Sequence, residues 1–517
     1  MLRARRWEIV AFSVTCCSLA ALAAFQRWPG LNPSSLYLDD QWAASLIKAG
    51  SPGIWWEIMP QIPLGFLLII KALFHAGGRT DLSLQILSFV CGLLQVPAMG
   101  LVAWMLTGRM SLSLLAAALC VLCPGFGEFA TRVKPYTLES LLTTAIIGLS
   151  IPWARRGDVK ALRILICAAL ASLMFSFTVL VVSVCLVGTI YAFHAWNERR
   201  VVRSWAEAGW IAALVVGSIL TYLFMARKQT NWSLIEFWEP YYLPWQSARA
   251  TLNFLGAKGL DAIRLAFPET LSAYVPWLVA AGLVGALVVK ETRLIGLAFM
   301  SFYAALLIMA ALKMYPMGGG RTDIFGYPVS LLAATSVFVP VLRAKRIGRA
   351  VGALAALATL LLVWEGKDRR FPYINANDSK AAIQFLAGHI RDEDGLIVYP
   401  HANWALAYYG KWPYRVIPDD RVANNFSTMI LRDRTLTLPS GVGRIQYWNH
   451  PDVLAPFLED FASREIPAIY YLSTLNPIDL GVAQLFHNHA YRIDPNNSFG
   501  MFTVTKFVKV HGEEEIK

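Results

Sequence analysis

Two adjacent carboxylates, Asp39 and Asp40, stand in Leu36-Tyr37-Leu38-Asp39-Asp40-Gln41-Trp42, just beyond a first apolar segment. An ionised Asp in or beside a membrane costs several kcal/mol unless it is paired or faces water, so two together mark a functional place. A carboxylate at a membrane face suits a general base acting on a hydroxyl. A second group is Gly318-Gly319-Gly320-Arg321, where glycines permit a nest of N–H groups beside a guanidinium, a combination matched to phosphate. The third runs from Glu128 to Tyr136 (Glu-Phe-Ala-Thr-Arg-Val-Lys-Pro-Tyr); Arg132, Lys134 and Tyr136 suit phosphate or sugar, and Glu128 stands close enough to orient Arg132. Each group has a plainer use. Asp39 or Asp40 can cap a helix beginning at Gln41, Arg321 can snorkel from a flexible loop, and the third group can be a helix-end charge cluster at the interface.

The elements that position these residues belong to a membrane. With 56% hydrophobic and only 15% charged residues in 517, the chain departs from soluble usage and reads as an α-helical polytopic membrane protein. The net charge of +12 does not point to nucleic acid, because Lys and Arg gather in short connectors between apolar runs, the positive-inside pattern. All seven cysteines lie in apolar runs without zinc spacing, which argues against both a disulfide framework and a thiolate metal site.

Arg3, Arg5 and Arg6 precede an apolar run over residues 9 to 25 and hold the N-terminus in the cytoplasm. A cleaved signal peptide competes with an uncleaved first span, and the many later spans favour the latter. Residues 61 to 76, with Pro63 near the start and Lys71 inside, fall short of the ~20 needed to cross. Laid flat on the outer surface, with the second span at 82 to 106, they leave every later basic connector cytoplasmic: Arg109, Arg155 with Arg156, Arg199 with Arg200, Lys290 with Arg293, and Arg343 to Arg349. Residues 26 to 81 then form one outer loop, which also carries Arg79 and Lys71 as weaker phosphate candidates. The remaining spans fall near 111–127, 137–153, 161–175, 176–195, 206–225, 271–289, 294–312, 322–341 and 350–364, with a break expected at Phe175-Ser176. That makes about eleven transmembrane helices.

An odd count puts residues 365–517 outside, separate from a membrane module of 1–364. There the pattern turns soluble. Helices are expected at 379–389, 402–409, 452–463 and 478–489, and strands at 396–399, 468–472 and 501–510, a small C-terminal α/β domain. His401, Asn403 and Trp404 after the first strand suit contact with an acceptor or an ordinary surface loop. Trp232, Trp238, Tyr241, Tyr242 and Trp245 suit sugar stacking or the headgroup belt. No phosphate-binding P-loop, dinucleotide fingerprint or serine-nucleophile elbow stands in its required context.

The order of outer motifs resembles the GT-C membrane glycosyltransferases, in the branch of protein O-mannosyltransferases and aminoarabinose transferases that use polyprenyl-phosphate sugars. Asp39-Asp40 stands where that family has Asp-Glu, and Gln61-Ile62-Pro63-Leu64 where it often has His-Pro-Pro-Leu. Glu128 to Tyr136 stands where it has Arg-Pro-Tyr after the third span, and Tyr315-Pro316-Met317-Gly318-Gly319-Gly320-Arg321 follows. The likeness covers roughly residues 1 to 345. It implies a GT-C-like catalytic module, with Asp39 as base, Asp40 positioning groups, and Arg321, Arg132, Lys134, Tyr136, Glu128, Arg79 and Gln61 about the donor. Because the oligosaccharyltransferase branch binds a divalent metal on the corresponding acids, it also makes Asp39 and Asp40 candidate ligands; no other cofactor is implied. Its partners would be a polyprenyl-phosphate sugar donor, a lipid, glycan or protein acceptor, and membrane lipids, at the outer face of the cytoplasmic (inner) membrane. The competing readings are a lipid or solute transporter and a ligase using a carrier diphosphate; charges gathered at one face argue against the transporter.

Overall fold

The computed structural model describes residues 2–31, 33–49, 62–198, 205–221, 223–224, 232–289, 292–339, 364, 369–371, 378–399, 401–418, 426–437, 451–474 and 480–510. Its first half is helical: α1 (Leu2–Arg27), α2 (Leu38–Ala49), α3 (Leu64–Ala76), α4 (Asp81–Thr107), α5 (Met110–Leu122), α6 (Pro124–Phe129), α7 (Tyr136–Arg156), α8 (Val159–Ser172), α9 (Thr178–Glu198) and α10 (Trp205–Thr221). Then come α11 (Trp232–Phe237), α12 (Ala248–Phe254), α13 (Leu260–Arg264), α14 (Val275–Val288), α15 (Arg293–Ala311) and α16 (Tyr327–Thr335).

Local chemistry sets several of these boundaries. Thr80 caps α4 by accepting from the Ser83 amide at 3.2 Å, and Gly108 ends it in the left-handed conformation at φ 65°. Arg155 and Arg156 in the last turn of α7 complement its C-terminal dipole. Arg155 also donates to the Leu106 carbonyl at 2.9 Å, joining the ends of α4 and α7. The expected break at Phe175-Ser176 falls between α8 and α9, where Gly65 of α3 donates to the Met174 carbonyl at 2.6 Å. At 13 residues, α3 is about 20 Å long, too short for a hydrocarbon core of about 30 Å.

Among the described residues, α1 with its following turn, α4, α7 and α15 are long and apolar enough to cross a membrane, and six further apolar helices are shorter. The expected span at 350–364 lies outside the described residues but for Trp364. Helices α4, α5, α7, α9, α15 and α16 share one apolar core, through residues such as Met99, Leu119, Ile147, Leu186, Phe302 and Leu331.

The C-terminal part is α17 (Ser379–His389), β1 (Gly395–Val398), α18 (Ala402–Tyr409), β2 (Tyr414–Pro418), β3 (Phe426–Ile430), β4 (Thr435–Thr437), α19 (Pro451–Ser463), β5 (Ala468–Thr474), α20 (Leu480–Asn488), β6 (Tyr491–Phe499) and β7 (Phe502–Lys509). Five strands form a mixed sheet in the order β4-β1-β5-β7-β6, with β1 parallel to β4 and β5 and with β7 antiparallel to β5 and β6. The period of two divides its faces. Ile397, Ile469 and Tyr471 pack on α19 and α20, whereas Leu396, Val398, Tyr470 and Leu472 share a core with Trp42 and Leu46 of α2 and Phe66 and Ile70 of α3.

Polar contacts fix this docking. Tyr408 and Tyr409 donate to the two oxygens of Asp81 at 2.7 and 3.2 Å, at the first turn of α4. The Leu36 amide donates to Tyr409 Oη at 2.7 Å, and Gln41 donates to Ser379 Oγ at 2.7 Å. The C-terminal part therefore closes directly over the segment that carries Asp39 and Asp40.

Candidate active site

Helix α2 begins at Leu38, with the Tyr37 carbonyl accepting from the amides of Asp40 and Gln41. The acids therefore lie in its first turn, and the alternative of a cap on a helix starting at Gln41 is corrected. Each carboxylate is held by a different guanidinium. Asp40 Oδ2 accepts from Arg132 Nε at 2.7 Å, with both side chains buried, and Asp39 Oδ2 accepts from Arg321 at 2.7 Å, with each side chain about 30% exposed. The inner pair is locked and the outer one is open to solvent.

Aromatic faces fix the cations. The Arg132 guanidinium lies 4.2 Å from the centre of the Tyr37 ring, Arg321 lies 5.0 Å from that of Trp238, and the Lys134 ammonium 4.7 Å from that of Trp42. Among the described residues Lys134 makes no ion pair within 4 Å, yet it is the leading positive field on Asp39. Burial pushes the Asp39 carboxyl up, but Lys134, Arg321 and Arg132 outweigh that and hold it below the usual carboxylate range. Burial likewise lowers the Lys134 ammonium, against the pull of Asp39 and Asp40.

Two expectations about this cluster are corrected. The glycine nest does not wait for a phosphate: the amides of Gly318 and Gly320 donate to Oδ1 and Oδ2 of Asp323 at 3.3 and 3.1 Å. With Gly318 and Gly320 at φ 77° and 69°, the loop closes on that buried carboxylate and turns Arg321 outward to Asp39. Arg132, moreover, gives its Nε to Asp40, while Glu128 acts through its field on Arg132 and Arg321. Burial pushes the Glu128 carboxyl up, with the two arginines opposing.

Tyr136 joins the group, edge-on to Phe129 at 5.1 Å and within the field of Arg321 and Asp39. Asp39, Asp40, Glu128, Arg132, Lys134, Tyr136 and Arg321 thus come together. Arg79 does not: it sits exposed in the turn before α4, at φ 61°. Lys71 lies on α3, and Gln61 is outside the described residues. Asp323 escaped the sequence reading, although an Asp three residues after a glycine run is the one signal that points to it. His401 lies in the field of Asp39, so the C-terminal part contributes a ring to the same region.

The donor set does not fit a divalent cation. Each Asp is already engaged by a guanidinium, Lys134 adds a third positive charge, and among the described residues no three of His, Cys, Asp and Glu converge.

No protein-family model matches the chain, and no curated protein sequence matches it. Solved structures do. One is ArnT, an aminoarabinose transferase, from Cupriavidus metallidurans bound to undecaprenyl phosphate, at a TM-score of 0.53 and 12% identity over 96% of this chain and 97% of that one. The same protein in its apo state gives 0.51 and 11% over 98% of each chain. An oligosaccharyltransferase of Archaeoglobus fulgidus, in complex with Zn and sulfate, gives 0.50 and 12% over 88% of this chain and 67% of its own. At such identities the likeness is one of fold alone.

Proposed function

We propose that the chain is a polyprenyl-phosphate-dependent glycosyltransferase that moves a single sugar to a hydroxyl acceptor at the outer face of the cytoplasmic membrane. The observation that carries this reading is the ion pair of Asp39 with Arg321, half-open to solvent, in a chain whose fold is shared by an enzyme solved with undecaprenyl phosphate. A carboxylate beside a solvent-facing guanidinium places a base and a phosphate partner in one opening.

In this mechanism Asp39 takes the proton of the acceptor hydroxyl as its oxygen attacks the anomeric carbon. The bond from that carbon to the phosphate oxygen breaks, and the electron pair leaves with the polyprenyl phosphate. Arg321 and Lys134 face the growing phosphate charge. Attack opposite the leaving group inverts the anomeric centre. Asp40 and Arg132, buried and mutually bonded, hold the first turn of α2 in place and so aim Asp39. The Trp238 ring, 5.0 Å from the Arg321 guanidinium, gives that cation an aromatic face.

Mass spectrometry of the lipid that co-purifies with the full chain tests the reading. A polyprenyl phosphate or its sugar ester is the expected result. Purification with ordinary phospholipids alone, together with no consumption of a labelled polyprenyl-phosphate sugar in proteoliposomes, would sink it.

A further inference from the structure

Arg321 is the cation best placed for a donor phosphate, and in this structure an acid of the same site already holds it. From that geometry, and resting on the function proposed above, we infer that Asp39 occupies the phosphate position: the donor must take Arg321 away from Asp39 to bind, and in doing so frees the base.

The charges around the site support this exchange. Arg321, Arg132 and Lys134 face Asp39, with Asp40 and Glu128 beside them, so Arg321 is held by a carboxylate of its own site. A polyprenyl-phosphate sugar is a phosphodiester whose anionic oxygens can take the place of that carboxylate on the guanidinium. The Asp40–Arg132 pair is buried, whereas the Asp39–Arg321 pair is about 30% exposed on each side and opens at small cost.

The loop is built for such a substitution. Asp323 holds the glycine amides and the Trp238 ring lies 5.0 Å from the guanidinium, so Arg321 stays in position while its partner changes from carboxylate to phosphate. Asp39 then remains in the field of Lys134, which has no ion pair among the described residues. A carboxylate that has surrendered its guanidinium regains Oδ2 as an acceptor and becomes more basic. The exchange therefore makes Asp39 the stronger base when the donor phosphate is seated on Arg321.

The test is a double-mutant cycle on undecaprenyl phosphate binding by the full chain in nanodiscs. Asp39→Asn should bind about tenfold more tightly than wild type, because an amide releases Arg321 more readily than a carboxylate. Asp40→Asn removes the same charge but should leave affinity within about threefold, since its partner is Arg132. Arg321→Ala should bind about tenfold more weakly, and Asp39→Asn added to it should bring no further gain. Asp39→Ser serves in place of Asp39→Asn if the latter fails to assemble. A gain on removing Asp39 that persists in the Arg321→Ala background would show a general field effect and overturn the exchange, as would no gain at all. Failure of wild type itself to bind the lipid would instead overturn the functional reading on which the exchange rests.

Discussion

Arg132 Nε meets Asp40 Oδ2 at 2.7 Å across 92 residues of sequence, with almost no solvent on either side chain. A buried pair of this kind specifies geometry more than it stabilises, because desolvation offsets most of the Coulomb gain. Here it ties α2 to the turn before α7, and Asp39 is the neighbour it aims.

Removing one member takes a charged partner from the other in a buried place. Arg132→Ala should therefore cost about 3–5 kcal/mol, while Asp40→Asn, which keeps an acceptor oxygen for the guanidinium, should cost less. Thermal unfolding in detergent measures both. An Arg132→Ala protein as stable as wild type would show that the pair contributes nothing to the placement of α2.

Asp323 should act as a positioning residue through Arg321. Asp323→Ala leaves two loop amides without their acceptor and lets Arg321 drift, so kcat/KM for the donor should fall about 10- to 100-fold, mainly through KM. Asp323→Asn retains an acceptor oxygen and should recover most of it. Equal losses in the two variants would assign Asp323 to general folding.

The sequence made the acids, the Arg132–Tyr136 run and Arg321 legible because each is an expensive residue type beside a membrane, where a charge without purpose is disfavoured. Helices α17, α18 and α19 were legible for another reason, the change there from continuous apolar runs to a soluble pattern. The partner of each arginine was not, since Arg132 lies closer in sequence to Glu128 and only the fold brings Asp40 to it. Nor was the use of the glycine nest, because an anion supplied by the chain itself leaves the same sequence signal as one supplied by a ligand. The β2–β3 pair went unrecognised because β2 follows Pro413 and ends on Pro418, a residue type depleted in strands. Strand β6 was hidden by Pro495 and Asn496, residues depleted in strands, and its register shifts between Asp494 and Asn497.

The orientation proposed from the basic connectors is open to a labelling experiment. In a cysteine-free background, Arg79→Cys, in the exposed turn before α4, should react with a membrane-impermeant thiol reagent in intact cells. Arg109→Cys, at the other end of α4, should react only after the membrane is opened. The reverse pattern would place the carboxylates at the cytoplasmic face.

Asp39 carries the most demanding prediction. Asp39→Asn keeps the size of the side chain but removes the base, so transfer should fall by about 10²-fold or more while the protein inserts and binds carrier lipid. Because each acid is engaged by a guanidinium, a chelator should leave the wild-type rate unchanged. The pH dependence follows from the cations around Asp39. Its carboxyl lies below the usual carboxylate range, so the acid limb of kcat/KM should fall below about pH 4, the ordinary value. The same depression stabilises the fold above the unfolded pKa of about 3.9 and is lost as pH drops through the lower folded value. Lys134→Met takes away the leading positive field while burial still pushes the carboxyl up, so the acid limb should move to higher pH. An acid limb that stays in place in Lys134→Met would mean that the titrating group is not Asp39, and Glu128 would become the next candidate for the base.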